Sequence, residues 1–291
     1  MDFQATALGV LVGVDGSPGA EAALDFAAAE ARTRRGPLTV CHVRPVAGDP
    51  PGAEATTPVL DAAGSRLART ATGVAVRLLT EPGHPVQVLA ALAADAELTV
   101  VGSRGRGGVA GLMLGSVGLH LVTRAPGPVV VVRPEHSVAG HPGRGTFAGH
   151  VVVGVDGSPG SAAALGFGFA DAELRGCPLA AVHVHQLTPA DTYVDDRTLE
   201  LHAEARDPGR DLLDAAVDPW AVRYPRVEVR RALHHGPPAE GLVRAGAGAV
   251  LLAVGRAGRG AAAGALFGSV SQALTHRAGC PVAVVPLREP S

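Results

Sequence analysis

Residues 98–116 read LTVVGSRGRGGVAGLMLGS, and the fold follows from how that run divides. Leu98–Gly102 is a short apolar run ended by glycine, the pattern of a buried strand. Gly105 follows three residues on, and Gly115-Ser116 opens a further apolar segment. The spacing is G-x2-G-x9-G-S, and it recurs at Gly255, Gly258, Gly268 and Ser269. A strand, a glycine loop and a helix start in that order can hold phosphate. The helix N-terminus offers backbone donors with no helical acceptor and a partial positive charge.

The recurrence extends over the chain. LVGVDGSPGAEAAL at 11–24 returns as VVGVDGSPGSAAAL at 152–165, and His42-Val43 returns as His183-Val184. Both steps are 141 residues; beyond them Gly83 matches Gly236 and Gly102 matches Gly255 at a step of 153. About 12 residues are therefore added in the second copy, around 185–200. A period of that length signals duplication of a whole domain, since solenoid repeats are far shorter. The Gly/Pro-rich run EHSVAGHPGRGTFA at 135–148 reads as a linker, which places one domain at 1–134 and another at 149–291.

Composition narrows the function classes. The 291 residues are 47% hydrophobic and 18% charged, with a net charge of -2, so two cores are feasible and bulk charge does not point to nucleic acid. No apolar run reaches the roughly 20 residues of a membrane helix, and the N-terminal segment lacks a basic leader pattern. A cytoplasmic location is expected. Cys41, Cys177 and Cys280 are widely spaced and form no CxxC pair, as expected of reduced core thiols. Lys, Asn and Ile are absent, a skew towards GC-rich codons that leaves arginine as the sole long cation. No histidine or cysteine spacing suggests a metal site, and GxxxxGK[ST] and GxSxG are absent.

Within the first copy, strands are expected at 8–14, 38–43, 74–79, 98–102 and 128–132, and helices at 18–34, 58–72, 85–95 and 115–124. Ser17 as N-cap and Pro18 as first helical residue mark the start of the first helix. The second copy gives strands at 150–155, 179–184, 226–231, 249–254 and 281–285, with helices at 159–175, 197–217, 238–246 and 268–277. Strict alternation predicts an α/β fold: two tandem doubly wound domains, each with a five-stranded parallel sheet in the order 3-2-1-4-5. Ligands in such sheets bind where the winding reverses, here between strands one and four, and that brings Asp15 and Gly102 to one crevice. The closing strands are apolar edges, able to pair within the chain, between chains as a homodimer, or both.

These residues resemble the universal stress protein family, UspA-like and of its ATP-binding subclass. VGVDGS after the first strand, VVGSRGRGG…GLMLGSV, AVGRAGRG…GALFGSVSQAL, and the closing Pro-Val-Val-Val-Val and Pro-Val-Ala-Val-Val carry the resemblance over nearly the whole chain. It implies ATP as cofactor, with or without Mg2+, and an adenine nucleotide α-hydrolase-like fold. From VGVDGS it takes Gly13 with Asp15, and Gly154 with Asp156, the aspartates meeting ribose; an Asp that closes a local turn is the alternative for each. Val43 and Val184 would meet adenine through their backbone. Gly102, Gly105, Gly255 and Gly258 would let the backbone approach phosphate and adopt positive φ. Gly115, Ser116 and Val117, with Gly268, Ser269 and Val270, would present helix-start donors, the serines also serving as caps. Arg104, Arg106, Arg256 and Arg259 either neutralise phosphate or stay solvated. Ser271 stands where the first copy has Gly118; the missing hydroxyl would cost about 0.5–1.5 kcal/mol of binding, so the second site is expected to bind at least as tightly.

The function expected is that of a nucleotide-dependent stress-response regulator or sensor with an unknown protein partner and at most slow ATP hydrolysis. The alternatives are an ATP-hydrolysing or adenylate-transferring enzyme, and a dimerising scaffold with vestigial pockets.

Overall fold

The computed structural model describes residues 8–44, 58–105, 114–136, 145–185, 207–258 and 267–287. The chain forms two compact units, residues 1–141 with 280–291, and residues 142–279. The expected loop at 44–57, the 185–200 excursion, and Arg106 and Arg259 lie wholly or mostly outside the described residues, as does most of the linker.

In the first unit β1 (Val10–Gly13), α1 (Pro18–Arg34), β2 (Leu38–Arg44), α2 (Pro58–Thr70), β3 (Val76–Pro82), α3 (Pro85–Ala94), β4 (Leu98–Gly102), α4 (Ser116–Arg124) and β5 (Val129–Val132) alternate as predicted. The strands stand in the order β3-β2-β1-β4-β5 and are parallel throughout. β1, β4 and β5 are valine- and leucine-rich and buried nearly end to end, as strands covered on both faces must be. α1 packs with α2 and α3 with α4. Leu11, Leu24, Leu38, Leu60, Leu98 and Leu121 are fully buried, each worth roughly 1.5–3 kcal/mol of burial.

Local chemistry sets the start and stop of α1. Ser17 Oγ accepts from Ala20 N–H at 3.2 Å and Pro18 fills the first helical position. The helix stops at Arg35 in the left-handed region, φ 52, its N–H reaching back to the carbonyls of Ala31 and Arg32. At the same end Arg34 lies between Glu30 (3.2 Å) and Glu97 (2.8 Å), tying α1 to the residue before β4.

The second unit repeats the plan with β6 (Val151–Gly154), α5 (Pro159–Arg175), β7 (Leu179–His185), α6 (Pro208–Arg223), β8 (Val229–His235), α7 (Pro238–Ala245), β9 (Leu251–Gly255) and α8 (Ser269–Arg277). Its strands run β8-β7-β6-β9, parallel, the first four places of the same order. Phe169 is fully buried, with Tyr224 and Trp220 stacked at 5.7 and 6.4 Å. The closing strand β10 (Val282–Val285) lies in the first unit, antiparallel to β5, with Val282 opposite Val131 and Val284 opposite Val129.

Three elements differ from expectation by more than two residues at an end. The third strand spans 76–82 instead of 74–79. Gly73, at φ +82, sits in a turn closed by Val74 N–H to Ala71 O, and β3 then follows β2 as far as Arg44 opposite Pro82. In the second copy the matching strand is 229–235 instead of 226–231, because β7 continues to His185, opposite His235. Of the helix expected at 197–217, residues 197–206 lie outside the described residues, and the described helix runs to Arg223 instead of 217: Asp207 caps it, accepting from Gly209 N–H at 2.8 Å, and Pro208 occupies its first position.

Candidate functional site

The two distinctive motifs meet because β1 and β4 are neighbours and both end towards the same edge. Beyond β1, Asp15 Oδ1 accepts from Ser17 N–H at 3.0 Å, so the local turn is formed. Its other carboxylate oxygen rests on Gly105, where a Cβ would collide with Oδ2. The second unit repeats both contacts, Ser158 N–H to Asp156 Oδ1 at 2.9 Å and Asp156 Oδ2 on Gly258.

The glycines serve close approach. None of Gly102, Gly105, Gly255 and Gly258 has positive φ, which corrects the expectation of left-handed backbone there. A Cβ on Gly102 would come within 2.6 Å of the Gly19 carbonyl carbon in α1, and one on Gly255 within 2.5 Å of that of Gly160. These two glycines let the first turn of a helix lie directly on the end of a strand. Gly13 leaves room for Leu89, and Gly154 for Leu242, each Cδ1 within 3 Å of where a Cβ would sit.

Beyond β4 the chain loops back on itself. Ser103 O accepts from Gly115 N–H at 2.8 Å, and Ser17 Oγ donates to Arg104 O at 3.2 Å. Gly115 is the N-cap of α4, in extended conformation with no side-chain cap. Ser116, Val117 and Gly118 form the first turn, whose amides have no acceptor within the helix. In the second unit Arg256 O accepts from Gly268 N–H at 2.9 Å, and Gly268 caps α8 at Ser269 and Val270.

A cavity of about 500 Å³ opens between these elements in the first unit, within the range of small-ligand pockets. Gly102, Arg104, Gly105, Gly115, Ser116 and Val117 line one end, Asp15 and Gly13 the middle, and Val43 the other. Apart from Arg106, which lies outside the described residues, the site residues expected in the first copy are thus brought to one cavity. Gly118 also lines it, with Cys41, His42, Pro85, Leu89 and Leu114. Sequence reasoning gave these last five no part in the site, although His42 with His183, Pro85 with Pro238 and Leu89 with Leu242 recur at the two repeat steps. His42 Nδ1 donates to Val14 O at 2.7 Å and His183 Nδ1 to Val155 O at 2.7 Å. A carbonyl can only accept, so Nδ1 carries the hydrogen and Nε2 of the neutral ring is the acceptor. Cys41 is inert on this wall: burial, and after it the Glu81 carboxylate, push its thiol up to about 12.

Ser271 is not aimed at a ligand. Its Oγ donates to Gly255 O at 2.7 Å, fastening the start of α8 to the end of β9, so its proton is not available to a phosphate. At Gly118 a Cβ would meet Leu114 Cδ1 at 2.9 Å, and Leu114 occupies the space. Val184 is buried beside α7, where Gly241 lets the helix approach it. Among the described residues, no group of three or more His, Cys, Asp or Glu side chains is placed to hold a metal ion.

The donor set suits a phosphate ester: first-turn amides, two glycines and an exposed arginine beside them, and an apolar far wall with backbone edges. Mg2+ arriving with a nucleotide would be held chiefly by phosphate and water, Asp15 being the carboxylate on the described wall.

Comparison with known proteins agrees with the duplication. The Universal stress protein family model matches twice, at residues 9–133 and 148–286. A universal stress protein of Mycobacterium tuberculosis is 37% identical over 297 residues, covering 95% of this chain and 96% of the relative. One of Mycolicibacterium smegmatis is 35% identical over 297 residues, covering 97% and 98%. Among solved structures, a universal stress protein from Archaeoglobus fulgidus superposes with a TM-score of 0.64 at 18% identity, over 96% of this chain and 98% of that one.

Proposed function

This chain belongs to the universal stress protein family, with two copies of the family's domain, and on that premise we propose that it is an ATP-binding regulator or sensor of the stress response, holding one nucleotide in each copy. The observation that carries this reading is the seating of the Asp15 carboxylate on Gly105, repeated by Asp156 on Gly258. It supports the reading because a carboxylate suited to ribose hydroxyls then stands against a loop suited to phosphate, at the reversal point of each unit's strand order. The cavity of about 500 Å³ supports it, having room for a nucleotide with its base towards Val43 and its phosphates towards Ser116.

Turnover is slow at most on this reading. The Asp15 carboxylate already accepts from Ser17 N–H, and His42, the other side chain on the wall with an acceptor nitrogen, stands on β2, with β1 between it and β4. Bound nucleotide changes the surface that a regulatory protein meets around the helix starts at Ser116 and Ser269. The protein acts in the cytoplasm. A homodimer through the closing strands would have to exchange β10 between copies, since β10 already pairs with β5 inside one chain.

Native mass spectrometry of gently purified chain tests the reading. Two adenine nucleotides per chain are expected, falling to one when Gly105→Val pushes a side chain into the Asp15 carboxylate. Absence of nucleotide, together with no thermal shift on adding ATP, would overturn it.

A further inference from the structure

We propose that the two copies read phosphate charge differently: Arg104 makes the first site selective for nucleoside polyphosphates, whereas the second, with Ala257 in that place, discriminates little by phosphate number. The inference rests on the nucleotide reading above and concerns which nucleotide each copy holds.

Superimposed by their glycines, the loops read Gly102-Ser103-Arg104-Gly105 and Gly255-Arg256-Ala257-Gly258. The arginine has moved by one residue. In the first unit Arg104 is exposed and on the cavity wall. Ser103 is off that wall and buried, its N–H donating to Val132 O at 2.8 Å. Arg256 takes the place of Ser103. It is half-buried, and burial pulls its guanidinium pKa down. The backbone is unchanged by the exchange, since Arg256 O accepts from Gly268 N–H as Ser103 O does from Gly115 N–H. The second loop therefore keeps its amides while its arginine occupies the inward position. Arg106 and Arg259 occupy matching positions and do not distinguish the copies.

Ser271 Oγ fastens the start of α8 to the end of β9, where the first copy has Gly118. The first site adds to its helix-start amides an exposed cation on the cavity wall, whose attraction grows with each added phosphate charge and is weakened by salt.

Calorimetric titration of the full chain with ATP and AMP, at low and at high salt, tests this. Gly258→Val leaves the first site to be read alone, and Gly105→Val leaves the second. The ATP-to-AMP affinity ratio should be roughly 2- to 5-fold larger at the first site, as one exposed ion pair allows, and should shrink with salt. Arg104→Ala and Ala257→Arg in the otherwise unmodified chain repeat the comparison without touching a glycine. The first should bring the ratio down to that of the second site, and the other should raise it. Equal ratios at the two sites, or an Arg104→Ala chain that loses ATP and AMP affinity equally, would overturn the proposal. Absence of both nucleotides from the unmodified chain would overturn the nucleotide reading and this inference with it.

Discussion

Gly105 has no side chain because the Asp15 carboxylate fills the space where one would go. That contact is the smallest unit of the site, and the sequence carried its two members without their relation. A glycine in a loop reads equally as a positive-φ residue, a phosphate contact or a close approach; the structure excludes the first for Gly102 and Gly105 and has a close approach at each. Ser271 was ambiguous in the same way, since a hydroxyl at a helix start can face a ligand or its own chain. Ser271→Ala should cost about 1 kcal/mol of stability, measured by urea unfolding of the second unit's transition, by removing its bond to Gly255 O. The thiols give a pH prediction. Cys41 and Cys280 are each pushed from 9.0 to about 12, by burial first. A raised folded pKa means that the folded state holds its protons longer than the unfolded chain. Their contribution to stability is therefore full below about pH 9 and lost as pH rises towards 12. Iodoacetamide at pH 8 should leave both unlabelled in the native chain and label them in urea; labelling of native Cys41 would contradict its burial.

The elements were legible where local chemistry marks their ends. Ser17-Pro18 and Ser158-Pro159 announce α1 and α5, and both side chains cap as expected. Those without such marks were shifted. β3 is an outer strand with Val76 and Leu78 exposed, so it shows little of the apolar run that marks its buried neighbours. The start of α6 is signalled by Asp207-Pro208, a cap-and-proline pair that the sequence reading did not use. Two changes probe element packing. Glu30→Ala removes one of the two carboxylates that hold the buried Arg34 and leaves Glu97, and should cost about 1.5–3 kcal/mol, read as a lowered unfolding midpoint. Gly166→Ala would place a Cβ 2.6 Å from the Trp220 ring, so α5 and α6 must separate; a loss of about 1–3 kcal/mol is expected, with a change in Trp220 fluorescence.

At the scale of the whole molecule, the duplication was the most legible feature, because matched steps of 141 and 153 residues survive any error in individual elements. The partner of the closing strands was not legible. VVVV at 129–132 and VAVV at 282–285 are equally apolar, and nothing in either run chooses between pairing within one chain and between two. In the structure β10 covers the edge of β5. Deleting residues 280–291 should therefore bare that edge and raise the native mass to dimer or beyond; a truncated chain that stays at the mass state of the full chain would show that β5 needs no cover. The central claim, two nucleotide sites built alike, is tested most directly by counting nucleotides on the intact chain by native mass spectrometry in ATP. The account predicts two per chain, one in Gly105→Val, one in Gly258→Val and none in the double variant. Two nucleotides retained by the double variant, or none on the unmodified chain, would contradict it.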